Sequence, residues 1–156
     1  MYYFAYGSNI DLYHFTKYIS KEQIKTIGPA YLPNYILKYR KISVSKKKSG
    51  VANIEKRTNS RTYGIIYYIK DIENVSFLDK KEGFKNNENN VYNKLIHNVI
   101  LIKNNEKINC FMYQINDKYK LGEIIPSKKY LQHLINGNKK FNLPHSHLKR
   151  IFYIFA

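Results

Sequence analysis

Tyr2-Tyr3-Phe4-Ala5-Tyr6-Gly7-Ser8-Asn9 stands at the head of the chain, an aromatic run that stops at three turn-forming residues. An aromatic-rich run ended by glycine suits a buried strand, and Gly7, Ser8 and Asn9 suit the turn that closes it. The turn also has a chemical reading, because a glycine at a sharp bend exposes backbone N–H groups that can hold a carboxylate or an oxyanion. It is neither a dinucleotide fingerprint nor a P-loop, since G-x-G-x-x-G and G-K-S/T are both absent. Ser8 lies outside any G-x-S-x-G elbow and is not read as a nucleophile.

Working outward, Asp11 to Ile19 reads as a short helix. Ile24 to Leu32 and Tyr35 to Val44 read as two extended segments separated by a turn at Pro33-Asn34, both rich in β-branched and aromatic residues. Ser45 to Ser49 looks like a solvated basic loop, after which Val51 to Ile54 and Thr62 to Ile69 continue the sheet. Gly50 and Gly64 beside these strands predict bulges or close backbone approaches. Asp71 is placed to cap a helix running to about Glu82, with Glu73 in its first turn and Gly83 as its stop. Val91 to Ile102 and Lys107 to Ile115 predict a β-hairpin. Pro126 starts a helix to about Asn136, with Ser127 at its entry and Gly137 after its end. Leu143-Pro144 begins a last short helix that ends in the apolar Ile151 to Ala156. Strand, helix, strands, helix, hairpin and helices in that order favour an α+β domain over regular βαβ winding, and the length fits one domain over residues 1–156.

Composition bounds the function. Sixteen tyrosines and no tryptophan predict a core and a pocket lined by phenols, able to bind a small polar ligand. A net charge of +16, from 27 Lys and Arg against 11 Asp and Glu, raises a nucleic-acid or membrane partner. The basic residues are scattered, with Lys46-Lys47-Lys48 the densest run, and no zinc-finger or RNA-recognition pattern accompanies them, so a nucleic-acid role is not favoured. Cys110 is the single cysteine and reads as a small buried hydrophobe, in keeping with a reducing, cytoplasmic setting. The start lacks the features of a signal peptide, and no apolar run approaches the roughly 20 residues of a membrane span.

Among candidate chemical residues Glu82 is the sharpest. At helical spacing it shares a stripe with Val75 and Leu78, so the helix's apolar face ends in a carboxylate near the negative end of its dipole. Such an acid resists ionisation and suits general acid–base work; the competing reading has it fanning out to solvent. His145 and His147 form an H-x-H pair without the further ligands of a zinc site, so no metal is expected. His14, His97 and His133 are assigned no role.

Taken together these stretches resemble the gamma-glutamylcyclotransferase family. The matching pieces run in the family's order: Tyr3 to Asn9, Gly50-Val51-Ala52-Asn53-Ile54, Tyr63-Gly64-Ile65-Ile66-Tyr67, Leu78-Asp79-Lys80-Lys81-Glu82-Gly83, Tyr92, Tyr113, Pro126-Ser127-Lys128-Lys129-Tyr130, and Gly137 followed by Leu143-Pro144. The resemblance implies an α+β fold with a small mixed β-barrel and flanking helices, and a cofactor-free release of 5-oxoproline from a small-molecule gamma-glutamyl substrate. Glu82 matches the family's catalytic glutamate. Tyr3, Phe4, Ala5, Tyr6, Gly7, Ser8 and Asn9 match its glutamyl-binding segment, Tyr130 a further pocket residue, and Tyr92 and Tyr113 tyrosines near the pocket. The insertion Asn86 to Asn90 and the high positive charge depart from the family pattern. A basic, non-catalytic binding domain that keeps the pocket is the alternative from another class, and a homodimer is left open.

Overall fold

The computed structural model describes residues 1–84 and 89–144. Its core is a mixed sheet whose five longest-connected strands close on themselves. Strand β1 (Tyr2–Ala5) runs antiparallel to β3 (Val51–Ile69), with Tyr2 opposite Tyr68 and Ala5 opposite Ile65, and parallel to β5 (Lys107–Ile115) through Tyr3 and Phe111. β5 pairs with β4 (Tyr92–Leu101) as the expected hairpin. β4 joins β2 (Ile24–Ile42) at Ala30 and Leu101, and β2 returns to β3, so the order β1, β5, β4, β2, β3 closes a barrel. A short sixth strand, β6 (Lys120–Glu123), hangs on the far end of β2. The α+β barrel with flanking helices is therefore the fold observed.

The four separate strands expected between Ile24 and Ile69 are in fact two strands of 19 residues each. Pro33-Asn34 does not reverse the chain. Asn34 adopts φ 63° inside β2, and the pairing jumps from Pro33 opposite Arg61 to Tyr35 opposite Lys56, leaving residues 57–60 of β3 facing Asn34 alone. The Asn59 amide donates to Asn34 Oδ1 at 3.1 Å. Extra residues on one strand bend a ribbon and increase its twist, which is what a five-stranded barrel needs to close. Where β3 and β5 lie side by side without a ladder, side chains stitch them: Asn53 Oδ1 accepts from the Ile115 amide at 2.9 Å and Gln114 Nε2 donates to the Ile54 carbonyl at 2.8 Å.

Among the described residues three α-helices flank the barrel. The segment expected to be helical to Ile19 forms only one turn, α1 (Leu12–Phe15), capped by Asp11, which accepts from the His14 amide. Helix α2 (Ile72–Lys81) buries Val75 and Leu78 as predicted. Asp71 makes no side-chain cap; it turns the chain out of β3 at φ 61°, a conformation Asp tolerates. Helix α3 (Lys128–Phe141) is capped by Ser127, whose hydroxyl accepts from the Tyr130 amide at 3.1 Å. It runs past Gly137, expected as its stop, and ends at Asn142 in the left-handed region. Gly50 and Gly64 mark close approaches as expected, a Cβ on Gly64 falling 2.2 Å from the Ala5 carbonyl oxygen. The expected last helix beyond Leu143-Pro144, with His145, His147 and Ile151 to Ala156, lies outside the described residues, as do residues 86–88 of the insertion. No helix among the described residues is long and apolar enough to cross a membrane.

Gly137 sits inside α3 because the helix presses on the turn after β1: an added Cβ would lie 2.4 Å from Ile10 Cγ1 and 2.6 Å from the Ile10 carbonyl oxygen. Helix propensity alone would make Gly137→Ala stabilising by about 1 kcal/mol. The clash should dominate, and the variant is expected to lose about 1–3 kcal/mol, read from urea unfolding midpoints; a more stable variant would contradict this packing.

Candidate functional site

One large cavity, about 800 Å³, opens where the end of β1, the loop between β2 and β3, the end of α2 and the start of α3 converge. Each element arrives for a local reason. After β1 the chain tightens into a single 3-10 turn at Ser8–Ile10, presenting Gly7, Ser8 and Asn9 to the cavity. A Cβ on Gly7 would lie 2.7 Å from the Tyr130 hydroxyl, so glycine is what lets α3 dock here. That hydroxyl also accepts from the Ala52 amide at 3.0 Å, tying α3 to β3.

Helix α2 ends in a Schellman arrangement: the Phe84 amide bonds the Asp79 carbonyl at 2.8 Å and the Gly83 amide bonds the Lys80 carbonyl at 3.1 Å. Gly83, at φ 71°, takes the left-handed position such an ending favours. Glu82 therefore sits on the last turn, on the cavity wall and half-buried, rather than fanned out to solvent. Burial raises its pKa above the usual carboxylate value, against the pull of the Lys81 and Lys47 ammonium groups.

Six tyrosines line the cavity with it; Tyr18 is exposed, and the phenols of the other five, Tyr3, Tyr6, Tyr92, Tyr113 and Tyr130, are withdrawn from water. Burial is the largest cause that raises each phenol, and the Glu82 carboxylate adds to it in every case. Tyr130 is pushed up to about 12, its rise limited by the Ala52 and Ser8 amides that face its oxygen. All five thus stay neutral, able to donate and accept hydrogen bonds. Besides Tyr130, three hydroxyls are fixed by partners: Tyr6 donates to the Tyr113 carbonyl, Tyr3 accepts from Asn9 Nδ2 at 3.1 Å, and Tyr113 donates to Asp79 at 2.5 Å.

Of the residues singled out in the sequence, Glu82, Tyr3, Tyr6, Gly7, Ser8, Asn9, Tyr92, Tyr113 and Tyr130 come together on this one wall. Phe4 and Ala5 do not. They are almost wholly buried and pack in the core instead, Phe4 against Gly64 and Ala5 opposite Ile65, because the strand's backbone there is enclosed by β3. Cys110 is buried, its thiol pushed up to about 12 by burial. Other residues at or behind the cavity carry no role in the sequence reading. Asp79, within the quoted Leu78 to Gly83 stretch, bonds Tyr113 and pairs with Lys94 at 3.1 Å. His14 and His133, far apart in sequence, stack at 4.0 Å between ring centroids on the cavity wall, and His133 Nδ1 lies 2.8 Å from Asp11 Oδ2. Ser45 and Lys47 of the supposed solvated loop are part of the rim. No local pattern announces these, since each depends on elements distant in the chain. Among the described residues no group of three His, Cys, Asp or Glu is arranged to hold a metal ion.

A model of the AIG2-like family matches residues 61–151. A search of curated protein sequences finds no match. Among solved structures, one named gamma-glutamyl cyclotransferase superposes with a TM-score of 0.82 at 20% identity, over 97% of this chain and 85% of that one. YkqA from Bacillus subtilis gives 0.79 at 22% identity, over all of this chain and 54% of that one. A yeast gamma-glutamyl cyclotransferase specific to glutathione gives 0.65 at 13% identity, over 98% and 96%. At these identities the likeness is one of fold.

The raised pKa of Glu82 has a consequence for stability. Below the ordinary value of 4.5 the carboxyl is protonated in both folded and unfolded chains. Between that value and the raised folded one, the folded protein binds the proton more tightly, so this group's contribution is lost as pH rises. Glu82→Gln, which is always neutral, is expected to unfold at higher urea than the parent near pH 8 and at the same urea near pH 4. Equal offsets at both pH values would show that burial does not govern this carboxyl.

Proposed function

Since the chain belongs to the AIG2-like family, we propose that it is a gamma-glutamylcyclotransferase, releasing 5-oxoproline from a gamma-glutamyl amino acid or amine. The observation that carries this reading is a half-buried glutamate with a raised pKa, facing a cavity of neutral phenols beside a tight backbone turn that lines the same cavity. The fold shared with structures named for that activity supports it.

In this reaction the substrate's own α-amine attacks its γ-carbonyl carbon. A C–N bond forms to close the five-membered lactam, and the original amide C–N bond breaks to release the amine. Glu82 takes a proton from the α-ammonium and returns one to the departing nitrogen, a two-way transfer that suits a carboxyl whose pKa has been lifted toward neutrality. The chain supplies no nucleophile in this scheme. Its main task is to hold a flexible glutamyl group in its folded attack geometry, where most of the rate gain from orientation lies. The fixed hydroxyls of Tyr3, Tyr6 and Tyr113 keep the walls rigid for that purpose, and amides of the Gly7–Asn9 turn are the donors for the α-carboxylate or for the oxyanion on the γ-carbonyl. The cavity's size admits a dipeptide-sized compound.

The test is 5-oxoproline release from a panel of gamma-glutamyl dipeptides and amines by the parent and Glu82→Gln. Loss of a proton-transfer group should lower kcat by about 100- to 10,000-fold while the variant still binds substrate. Absence of release by the parent from every compound, or a variant as active as the parent, would overturn the proposal.

A further inference from the structure

The cavity has a second wall that the glutamyl-binding reading does not use. Beginning at α3, His133 is held by Asp11, which also accepts from Asn136 at 3.2 Å. Its ring stacks on His14, and His14 meets Tyr18 edge-on at 5.1 Å. Lys81 Nζ then lies 3.5 Å over the Tyr18 ring and 3.5 Å from Asn9 Oδ1. The result is a continuous aromatic strip that ends in a cation. Asn9 is the joint between the two walls, since its Nδ2 bonds Tyr3 and its Oδ1 faces Lys81.

Lys81 is half-buried, and among the described residues no carboxylate pairs with it. An amide oxygen and an aromatic face compensate a buried ammonium only in part. Burial lowers its pKa despite the nearby Glu82 carboxylate, and Lys47, from the β2–β3 loop, adds like charge. Lys129 stands on the same rim. Burial, with His133 and Lys81 contributing, also pushes His14 down to about 4, so that this ring is neutral near pH 7. Among the described residues the cavity lining therefore meets an incoming molecule with three lysines, Lys47, Lys81 and Lys129, and one acid, Glu82.

We propose that this strip is the subsite for the leaving amine, and that Lys81, with Lys47 beside it, selects amines that carry a carboxylate. The inference rests on the cyclotransferase reading and narrows it to gamma-glutamyl amino acids and peptides, against gamma-glutamyl compounds of neutral or cationic amines. In an amino acid the carboxylate is two bonds from the departing nitrogen. A cation at the border of the glutamyl site, where Asn9 holds Lys81, is in the right place for it. A cationic amine would instead put a further positive charge beside the half-buried Lys81, where like charges repel more strongly than in open water.

Three gamma-glutamyl probes of equal reach separate the possibilities: the amides of glycine, ethylamine and mono-protonated ethylenediamine. The parent should show a KM for the glycine compound about 10- to 100-fold below that for the ethylamide, the range of one charge-assisted hydrogen bond, and the aminoethylamide should be the poorest. Lys81→Met should bring the glycine-to-ethylamide KM ratio to within about threefold of unity, and Lys81→Arg should restore the preference. Raising ionic strength in the parent should lift KM for the glycine compound selectively, a readout that needs no variant. If Lys81→Met weakens all three probes alike, the lysine serves the glutamyl carboxylate they share and the proposal is wrong. It is equally wrong if the parent does not discriminate by charge, or if the ratio survives the substitution. Calorimetric binding of the same probes to Glu82→Gln reads the subsite apart from turnover: charge-ranked binding with no 5-oxoproline release by the parent would remove the cyclotransferase reading and leave the carboxylate-binding subsite standing.

Discussion

The bend shared by β2 and β3 is the constraint on which the rest of the molecule hangs. Two 19-residue strands, paired along nearly their whole length, cannot stay flat and close a five-stranded barrel. Asn34 at positive φ and the four residues of β3 that bulge opposite it supply the curvature. One arm of the ribbon then reaches β1, and β2 reaches β4. The hairpin end of the same ribbon, residues 43–50, is carried to the mouth of the cavity, where it contributes Lys47, Ser49 and Gly50. Barrel closure and site assembly are thus consequences of one deformation.

The site is an electrostatic compromise. A carboxyl group placed among phenols and partly withdrawn from water is pushed toward its neutral form, while lysines at the rim pull the other way. Tyrosine fills this role better than phenylalanine would, because it excludes water yet satisfies polar neighbours. Four of the hydroxyls at the site are paired: Tyr6 with a carbonyl, Tyr3 with Asn9, Tyr113 with Asp79 and Tyr130 with the Ala52 amide. The Asp79–Lys94 pair behind Tyr113 anchors that network away from the cavity. The tyrosine-rich composition, which predicts a phenol-lined pocket, is in this way realised at the site.

Much of this was legible locally. The aromatic run into Gly7-Ser8-Asn9, the Val75–Leu78–Glu82 stripe ending at Gly83, and Ser127 at a helix entry are short-range patterns whose physics is contained in a few consecutive residues. They named Tyr3, Tyr6, Gly7, Ser8, Asn9, Glu82, Gly83 and Ser127 of the cavity wall, while Tyr92, Tyr113 and Tyr130 came from the family resemblance. The misreadings share a cause. Pro33-Asn34 and residues 57–60 carry turn chemistry, yet pairing over the whole ribbon overrides it, so four strands become two. Gly137 looked like a helix stop, yet its lack of a side chain serves contact with Ile10. Phe4 and Ala5 belonged to the right segment but pack into the core.

By itself, then, the sequence determined the element types, the Tyr-rich interior, the placement of one acid on an apolar helical face and the loop that meets it, because each follows from periodicity and turn chemistry within a short window. Only the tertiary structure decided which of those residues share a wall, that the β2–β3 loop reaches the site, and that Asp11, His14, Tyr18, Lys81 and His133 join into one strip. Their contacts span up to 122 positions in sequence. Such contacts exist only after the ribbon bends and α3 docks against Gly7 and Ile10, steps governed by packing over the whole fold and by no local pattern of residues.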